Sequence, residues 1–471
     1  SEVALVEVNP SEERDSAVTW REASLIESNH GAPYRREMTW ADFDRRANRF
    51  ANLILSRGIK RGTKIAILLM NSLEWLPIYF GILKAGCIAV PLNFRYSGEE
   101  IKYCLDLADC EGLVFGPEFT ERVDSVVNDL TAVKTMLFVG KDVPEYAENW
   151  EILSGYCSSS APPIALTEDD FAAIYFSSGT TGFPKGVMLT HRNIVNNGKT
   201  IGDRMDLSTA DRMMIQVPMF HCFGMTLSMT SSMTHGATMC PMPYFSATSS
   251  LACINQEKIT CFNGVPTMFI AMFNHPNYRS TDFSHMRTGI MAGAGCPPEL
   301  MRRAARPDEM NMTGIVSVYG QTEASPGCTM SSYYDSLEVR TETVGSAFAN
   351  VECKIINPET GEDCADGENG EFVARGYNIM KGYYKMPRAT ASTIDKDGWL
   401  HSGDIACRTP DGYYKITGRL KDMIIRGGEN IYPKEIEEFI YTHPQTKDVQ
   451  VIGVPDKKYG EEIMACIILK E

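Results

Sequence analysis

The first third of the chain alternates between two spacings of apolar residues. Over residues 47–54 the apolar positions recur every three or four residues, which predicts a helix between Thr39 and Gly58. Residues 63–69 form a short apolar run, which predicts a strand. The alternation continues with helices over 74–85 and after the capping box at 97–100, and with strands over 87–91 and 112–116.

Strand and helix in alternation predict β-α-β units and a largely parallel sheet. A mixture of helices and antiparallel strands is the alternative. After Glu352 the pattern changes, because short strand-like runs are separated by Asn-Gly or Asp-Gly pairs at 369–370, 397–398 and 411–412. These pairs predict antiparallel hairpins in the last third of the chain.

Composition limits the class of protein. A chain of 471 residues is too long for one hydrophobic core, so two or more domains are expected. A formal net charge of −15 argues against a nucleic-acid-binding surface, which requires clustered Lys and Arg. The 14 cysteines lack zinc-ligand spacing and the opening residues lack a signal-peptide pattern, which predicts free thiols in the cytoplasm. No apolar run is long enough to predict a transmembrane segment.

A polar, glycine-rich stretch follows the apolar run 171–176, which we expect to be a buried strand. Residues 177–186 read S-S-G-T-T-G-F-P-K-G. Glycines permit tight turns, and successive backbone N–H groups enclose a polyphosphate, to which Lys185 adds a point charge. The common P-loop requires Gly-Lys-Ser/Thr, whereas Pro184 precedes the lysine here. The stretch predicts a phosphate-binding loop, with an ordinary surface loop as the alternative.

Two stretches further along the chain suit a nucleotide beside this loop. Residues 318–323 read V-Y-G-Q-T-E, and a carboxylate at a strand end suits Mg²⁺ held by phosphate oxygens. Tyr319 offers a flat face for adenine. Residues 293–295 read G-A-G, which lets a flat base or an acyl group approach the backbone. This stretch fails the dinucleotide-binding pattern because Pro298 stands in place of the third glycine.

Two single residues are also candidates. Asp404 follows Ser402-Gly403, and a carboxylate on a turn can accept two hydroxyl hydrogen bonds from a ribose. An Asx turn is the alternative for Asp404. His221 stands among apolar residues, where a buried core histidine is the alternative to a substrate contact.

These motifs together resemble those of the adenylate-forming superfamily, which includes acyl-CoA synthetases, luciferases and the adenylation modules of peptide synthetases. The resemblance runs from about Thr39 to Glu471, with the nucleotide motifs in the family's order. Residues 421–433 and 451–462 are most similar to the medium-chain, or fatty, acyl-CoA synthetase branch.

The resemblance implies an α/β fold of two domains. Residues 1–420 would form a large N-terminal AMP-binding and acyl-binding domain of several subdomains, with mainly parallel sheets flanked by helices. Residues 421–471 would begin a small, mobile α+β C-terminal domain, with Lys421 as the hinge. Family members carry a further catalytic lysine in that domain, and the printed sequence stops before such a motif. We therefore expect weakened adenylation from this chain, and Lys470 is not given that role.

The resemblance also assigns individual roles. Lys185 neutralises phosphate, Thr322 contacts phosphate, Glu323 is the Mg²⁺ ligand, and His221 contacts the substrate carboxylate. The nucleotide or coenzyme A is placed against Ser177, Ser178, Gly179, Thr180, Thr181, Gly182, Gly293, Ala294, Gly295, Ser317, Val318, Tyr319, Gly320, Gln321, Asp404, Arg419, Lys421, Gly427, Gly428 and Asn430.

Within that set, Asp404 contacts the ribose, and Arg419 contacts the ribose and the phosphate. Gly427 and Gly428 line the pantetheine tunnel, and Asn430 faces the α-phosphate.

The function implied is ATP-dependent activation of a carboxylic, and specifically a fatty, acid through an acyl-adenylate, followed by thioester formation with coenzyme A. The cofactors and co-substrates are ATP or AMP, Mg²⁺ and coenzyme A. The partners are these small molecules, without nucleic acid, and a homodimer is compatible with the sequence. An aryl or 4-coumarate-type CoA ligase is one alternative. A regulatory module that binds ATP or AMP without turnover is another.

Overall fold

Four β-sheets and the helices between them make up the described part of the chain in a computed structural model. The structure describes residues 2–9, 34–177, 184–426, 429–441, 443–456 and 459–470. Within these ranges the strands are β1 Val3–Asn9, β2 Tyr34–Thr39, β3 Lys64–Leu68, β4 Ile88–Pro91, β5 Cys110–Phe115, β6 Thr135–Phe138, β7 Glu148–Asn149, β8 Phe171–Ser177, β9 Lys185–Thr190, β10 Arg212–Ile215, β11 Thr238–Pro241, β12 Cys261–Phe262, β13 Thr288–Met291, β14 Gly314–Gly320, β15 Gly327–Met330, β16 Ser346–Ala347, β17 Val351–Ile356, β18 Gly370–Gly376, β19 Leu400–Arg408, β20 Tyr414–Arg419, β21 Ile424–Arg426, β22 Glu429–Ile431, β23 Thr446–Asp456 and β24 Gly460–Leu469.

The α-helices of the described residues connect these strands. They are α1 Trp40–Ser56, α2 Trp75–Lys84, α3 Gly98–Leu107, α4 Thr120–Asp124, α5 Trp150–Gly155, α6 His191–Arg204, α7 Ser231–His235, α8 Ala247–Glu257, α9 Pro266–Phe273, α10 Pro298–Ala305, α11 Leu337–Glu342, α12 Pro387–Thr393 and α13 Pro433–Tyr441. A π-helix spans Phe223–Thr230, and 3₁₀ turns span Pro117–Phe119, Val127–Asp129, Pro276–Ser280, Thr322–Ala324 and Leu420–Asp422. Every helix in the described ranges is too short or too polar to cross a bilayer.

Two large sheets carry most of the chain. One has the strand order β7-β6-β5-β3-β4-β8-β9, in which only the β8–β9 pair is antiparallel. The other has the order β16-β15-β14-β13-β12-β10-β11-β1-β2 and is parallel from β14 to β1, with antiparallel strands at both ends. The predicted α/β fold with mainly parallel sheets flanked by helices is confirmed.

Two smaller sheets follow in the last third of the chain. Strands β17 to β20 pair in sequence order and are all antiparallel, as predicted. Of the three Gly pairs, Asp411-Gly412 forms the tight turn between β19 and β20, whereas Gly370 begins β18 and Asp397-Gly398 precedes β19. Strands β21 to β24 form a separate antiparallel sheet with α13 against it. The predicted domain boundary at 420/421 falls in the 3₁₀ turn between these two sheets, and the division into domains stays a prediction.

The predicted helix starts are confirmed by their caps. The Thr39 side chain accepts a hydrogen bond from the backbone N–H of Asp42, which opens α1. Ser97 and Glu100 form the predicted capping box of α3, each side chain bonding the other's backbone N–H. These bonds satisfy N–H groups that have no partner within the helix.

One apolar core runs between the two large sheets. It includes Tyr175 of β8, Ile215 of β10 and Val316 of β14, all buried. The π-helix and α6 lie in the same region. Burial of both sheet faces explains why the parallel strands are continuous apolar runs.

The π-helix is stabilised by side chains that reach five residues back. The hydroxyl of Ser228 donates to the carbonyl of Phe223 at 3.1 Å, and that of Thr230 donates to the carbonyl of Met225 at 2.8 Å. Asn263, just after β12, donates to the carbonyl of Leu227 at 3.0 Å. A widened helical turn of this kind is common at functional sites.

Helix α6 packs against the π-helix without an intervening side chain. A Cβ atom at Gly198 would lie 2.4 Å from Cγ2 of Thr230 and 3.1 Å from its carbonyl carbon. A Cβ atom at Gly202 would lie 2.2 Å from the His235 ring. The two glycines lie one turn apart on α6, so they allow the two helices to approach closely along one face.

We predict that Gly198→Ala lowers the midpoint of urea-induced unfolding, by a change in unfolding free energy of roughly 1–3 kcal/mol. The gain in helix propensity, about 1 kcal/mol, is outweighed by the clash with Thr230. The matched control is Gly155→Ala at the end of α5, where a Cβ would meet no atom within 4 Å. Equal behaviour of the two variants would contradict close packing at Gly198.

Candidate active site

The residues of the predicted phosphate loop lie in sequence between two antiparallel paired strands, β8 and β9. Ser177 ends β8 and Lys185 begins β9, and the two are paired across the hairpin. The Ser177 hydroxyl donates to the carbonyl of Lys185 at 3.5 Å. Ser178, Gly179, Thr180, Thr181 and Gly182 lie outside the described residues, so their phosphate contacts stay predictions.

Lys185 lies against an aromatic ring that also contacts Glu323. Its ammonium is 5.0 Å from the centroid of the Tyr383 ring, within cation–π distance. The Tyr383 hydroxyl donates to Oε1 of Glu323 at 2.7 Å. Burial, and then the adjacent carboxylate, raise the pKa of the Tyr383 phenol. The structure therefore brings the two predicted phosphate-site charges together through a third residue.

Glu323 lies in the 3₁₀ turn directly after β14 and is buried. Its backbone carbonyl accepts from Met380 at 2.8 Å, which fixes the turn. No described residue donates to its second carboxylate oxygen, and no group of three or more metal-ligating side chains occurs in the described ranges. A single carboxylate with one available oxygen fits Mg²⁺, which takes one or two carboxylates together with substrate phosphates.

Three other predicted residues meet at the start of the same turn. The Tyr319 hydroxyl donates to Oδ2 of Asp404 at 2.7 Å. Arg419 pairs with Asp404 across β19 and β20, and its Nε lies 3.5 Å from Oδ1. The Tyr319 ring packs edge-on against Phe372 with centroids 4.9 Å apart. These contacts form a polar group in which a carboxylate can accept ribose hydroxyls, while stacking of adenine on Tyr319 stays a prediction.

The predicted turn at Asp404 is instead a bulge within β19, and neighbouring hydrogen bonds hold this bulge. The backbone N–H of Gly403 donates to Glu371 at 3.1 Å, and the backbone N–H of Asp404 donates to the Ser402 hydroxyl at 3.1 Å. Burial raises the pKa of Asp404, against the opposing effects of Tyr319 and Arg419.

His221 lies just before the π-helix and is exposed. Its Nδ1 accepts from the backbone N–H of Phe223 at 3.1 Å, so the neutral ring carries its proton on Nε2. The Cys222 sulfur lies 3.7 Å from Nδ1 of His221 and 3.6 Å from the Thr322 hydroxyl. The imidazole is therefore arranged to donate a hydrogen bond from Nε2, which suits a contact with a carboxylate.

The G-A-G stretch follows β13 and is exposed. Gly293 has φ +84°, a conformation that favours glycine, and a Cβ there would lie 3.1 Å from Val265. The nearest side-chain atom to a Cβ at Gly295 is Cε of Lys434, at 3.9 Å. Lys434 belongs to α13, so the start of that helix approaches the G-A-G stretch, which includes Ala294.

The remaining predicted residues have defined places. Ser317, Val318 and Gly320 lie on β14, followed by Gln321. Lys421 lies in the 3₁₀ turn between β20 and β21, and Asn430 lies on β22 with its backbone paired to Ile425. Gly427 and Gly428 lie outside the described residues. The roles of all these residues stay predictions.

Comparison with known proteins decides the family. A model of the AMP-binding enzyme family matches residues 15–384, and a model of the AMP-binding enzyme C-terminal domain matches residues 435–471. The chain belongs to the AMP-binding enzyme family. The resemblance to adenylate-forming enzymes is thus confirmed.

Two curated relatives show where the chain lies in this family. YngI of Bacillus subtilis, a protein named as an acyl-CoA synthetase, is 42% identical, with 92% of this chain aligned to 83% of its own length. The mitochondrial medium-chain acyl-CoA ligase ACSF2 of Mus musculus is 38% identical, with 92% of this chain aligned to 75% of its length. Among solved structures, ATP-bound MatB from Rhodopseudomonas palustris matches with a TM-score of 0.83 at 29% identity, covering 92% of this chain and 84% of that one.

Two residues of this candidate site are not predicted by the sequence motifs. Tyr383 contacts Lys185 and Glu323, and Glu371 accepts from Gly403, beside Asp404 on β19. Both come from the antiparallel sheet or the segment that follows β18, far from their partners in sequence. The only local signal was the aromatic pair Tyr383-Tyr384 after Gly382, which does not reveal a partner by itself.

We predict that Asp404→Asn weakens AMP binding at pH 7 by roughly 10- to 100-fold, because two hydrogen bonds to a charged acceptor are lost. The raised pKa means that the folded protein binds this proton more tightly than the unfolded chain. Ionised Asp404 therefore lowers stability as pH rises through that pKa, and the variant should unfold at the same or a higher temperature at pH 7.

The check is AMP titration by calorimetry together with thermal unfolding. Wild-type affinity should fall as pH decreases toward the raised pKa, and the affinity of the variant should change less. A variant with wild-type AMP affinity would contradict the ribose role of Asp404.

Proposed function

We propose that the protein is an AMP-forming acid–thiol ligase that activates a carboxylic acid with ATP and transfers the acyl group to coenzyme A. The observation that carries the proposal is the assembly around residues 319–323. At one end of this turn Tyr319 contacts Asp404, and at the other Glu323 contacts Tyr383, which lies against Lys185. The named activities of YngI and ACSF2 support the same conclusion.

In the first step the substrate carboxylate attacks the α-phosphorus of ATP and pyrophosphate leaves. Lys185 offsets the charge of the phosphates, Asp404 orients the ribose, and Nε2–H of His221 orients the attacking carboxylate. When bound at Glu323, Mg²⁺ would neutralise phosphate oxygens. Catalysis by these groups is positioning and charge stabilisation.

In the second step the coenzyme A thiolate attacks the acyl carbon and AMP leaves. The proposed rotation of the small sheet about Lys421 would exchange the groups that face the acyl-adenylate. Contacts between α13 and the large domain support the proposed rotation. Lys434 on α13 lies near Gly295, and its ammonium donates to the carbonyl of Ile416 at 2.6 Å.

We further propose a medium-chain fatty acid as the substrate. The π-helix that follows His221 carries Met225, Leu227 and Met229, all buried in the apolar core. Unbranched methionine side chains are flexible and can adapt to an apolar ligand. The medium-chain activity named for ACSF2 supports this assignment, and an aromatic acid is the alternative.

The test is pyrophosphate release by the full-length protein with ATP, Mg²⁺ and a panel of acids that includes octanoate and an aromatic acid. We expect octanoate to be turned over and to outcompete the aromatic acid. Lys185→Met should lower the adenylation rate by roughly 10²- to 10³-fold. Preference for the aromatic acid would contradict the fatty-acid assignment. Nucleotide binding without pyrophosphate release from any acid would favour the regulatory module.

A separate prediction concerns the hinge. Lys421→Pro should leave pyrophosphate release intact in the full-length protein but block thioester formation, because rotation requires a change of φ that proline prevents. Lys421→Ala is the matched control and should retain both steps. The measurement is pyrophosphate release and acyl-CoA formation from the same samples. Wild-type acyl-CoA formation by the proline variant would contradict a hinge at this residue.

A further inference from the structure

A short segment after β18 is attached to the edge of the phosphate hairpin. The backbone N–H of Met188 donates to the carbonyl of Gly382 at 3.0 Å, and that of Tyr384 donates to the carbonyl of Gly186 at 2.8 Å. Val187 and Tyr383 form the antiparallel bridge between these bonds. The segment 381–385 is therefore attached to β9 through one antiparallel bridge and its flanking hydrogen bonds, which fix the register there.

The outward side of this segment is anchored to the large domain. The Tyr384 hydroxyl donates to Asp109 at 2.8 Å, and the Lys385 ammonium lies 2.6 Å from the other oxygen of the same carboxylate. Asp109 lies between α3 and β5. Tyr384 and Lys385 thus fix this end of the segment to Asp109, while the side chain of Tyr383 lies on the buried side.

The inward side of the segment separates two opposite charges. Tyr383 is buried, with its ring beside the Lys185 ammonium and its hydroxyl on Glu323. Among the described residues Lys185 forms no ion pair with Glu323 or with any other carboxylate. A direct pair would neutralise both groups toward a ligand, since each charge would then be satisfied within the protein.

We infer that Tyr383 is a positioning residue of the adenylation site, which holds Lys185 and Glu323 apart and leaves both available to a metal–polyphosphate ligand. Its hydroxyl occupies one oxygen of Glu323 and orients the second toward the ligand. Its ring supports the lysine without neutralising it. The inference rests on the proposed function, because that function places the polyphosphate and Mg²⁺ at these two residues.

The test separates the hydroxyl from the ring. Tyr383→Phe keeps the ring, so ATP affinity measured by calorimetry in EDTA should stay within about twofold of the wild type. The Mg²⁺ concentration needed for half-maximal enhancement of ATP affinity should rise by roughly 10- to 100-fold, as expected when a residue that orients a metal ligand is lost. Tyr383→Leu also removes the ring, so ATP affinity in EDTA should fall as well.

The matched control is Tyr414→Phe. Tyr414 is also buried, and its hydroxyl donates a hydrogen bond of the same length, 2.7 Å, to the carbonyl of Cys353. This control should match the wild type in its Mg²⁺ dependence even if it unfolds at a lower temperature. Electron paramagnetic resonance of Mn²⁺ in the presence of ATP gives a second measure of metal binding.

Two outcomes would overturn the inference. One is a Mg²⁺ dependence of Tyr383→Phe equal to that of the wild type. The other is an equal shift in Tyr383→Phe and Tyr414→Phe, which would indicate a general loss of packing. Failure of the proposed function is distinguishable, because it would appear in the wild type as absence of pyrophosphate release, whereas the inference is judged from variant-to-wild-type ratios of ATP and metal binding.

Discussion

The backbone pairing between β9 and residues 381–385 is the constraint on which the candidate site depends. It attaches the segment after β18 to the hairpin that carries Lys185. Glu323 lies in the turn after β14 of the other large sheet, and within the described ranges it is tied to this segment by the Tyr383 hydroxyl and the Met380 backbone. Without this pairing the two mainly parallel sheets would still share an apolar core, but the polar residues at the ends of their strands would not be fixed relative to one another.

Buried carboxylates are the second organising element. Glu323 and Glu371 are both buried, and the carboxylate of each accepts a hydrogen bond from a neighbouring residue. Glu371 accepts from the Gly403 backbone and lies 2.9 Å from His401, so it shapes the bulge of β19 that carries Asp404. Burial of such groups is unfavourable unless each is bonded, which makes their positions well defined. The site therefore combines charges that the fold constrains with others, such as Arg419, that remain exposed.

Much of this arrangement could be predicted from sequence because its signals are local. Helix caps at Thr39 and Ser97 depend on residues three positions apart, and the hairpins depend on adjacent turn residues. The motifs of Tyr319, Asp404 and Arg419 indicated a common nucleotide, and the structure brings these side chains together. Tyr383 could not be predicted, since its role arises from pairing with a distant strand. The π-helix was not predicted either, because its apolar composition does not distinguish hydrogen bonds that span five residues from those that span four.

The π-helix has a consequence for how the apolar segment after His221 can change in this chain. Its hydroxyl-to-carbonyl bonds at Ser228 and Thr230 span five residues, and Gly224 lies under the carbonyl of Pro218, where a Cβ would come within 2.3 Å. The backbone, as well as the side chains, thus sets the shape of the helical segment that follows His221. Removal of one residue would convert the wide turn to an ordinary α-helix and rotate every later side chain of Phe223–Thr230 by about 100°. In evolution, a single-codon deletion here would change the direction of all these side chains at once, whereas a point substitution would alter one side chain at a time.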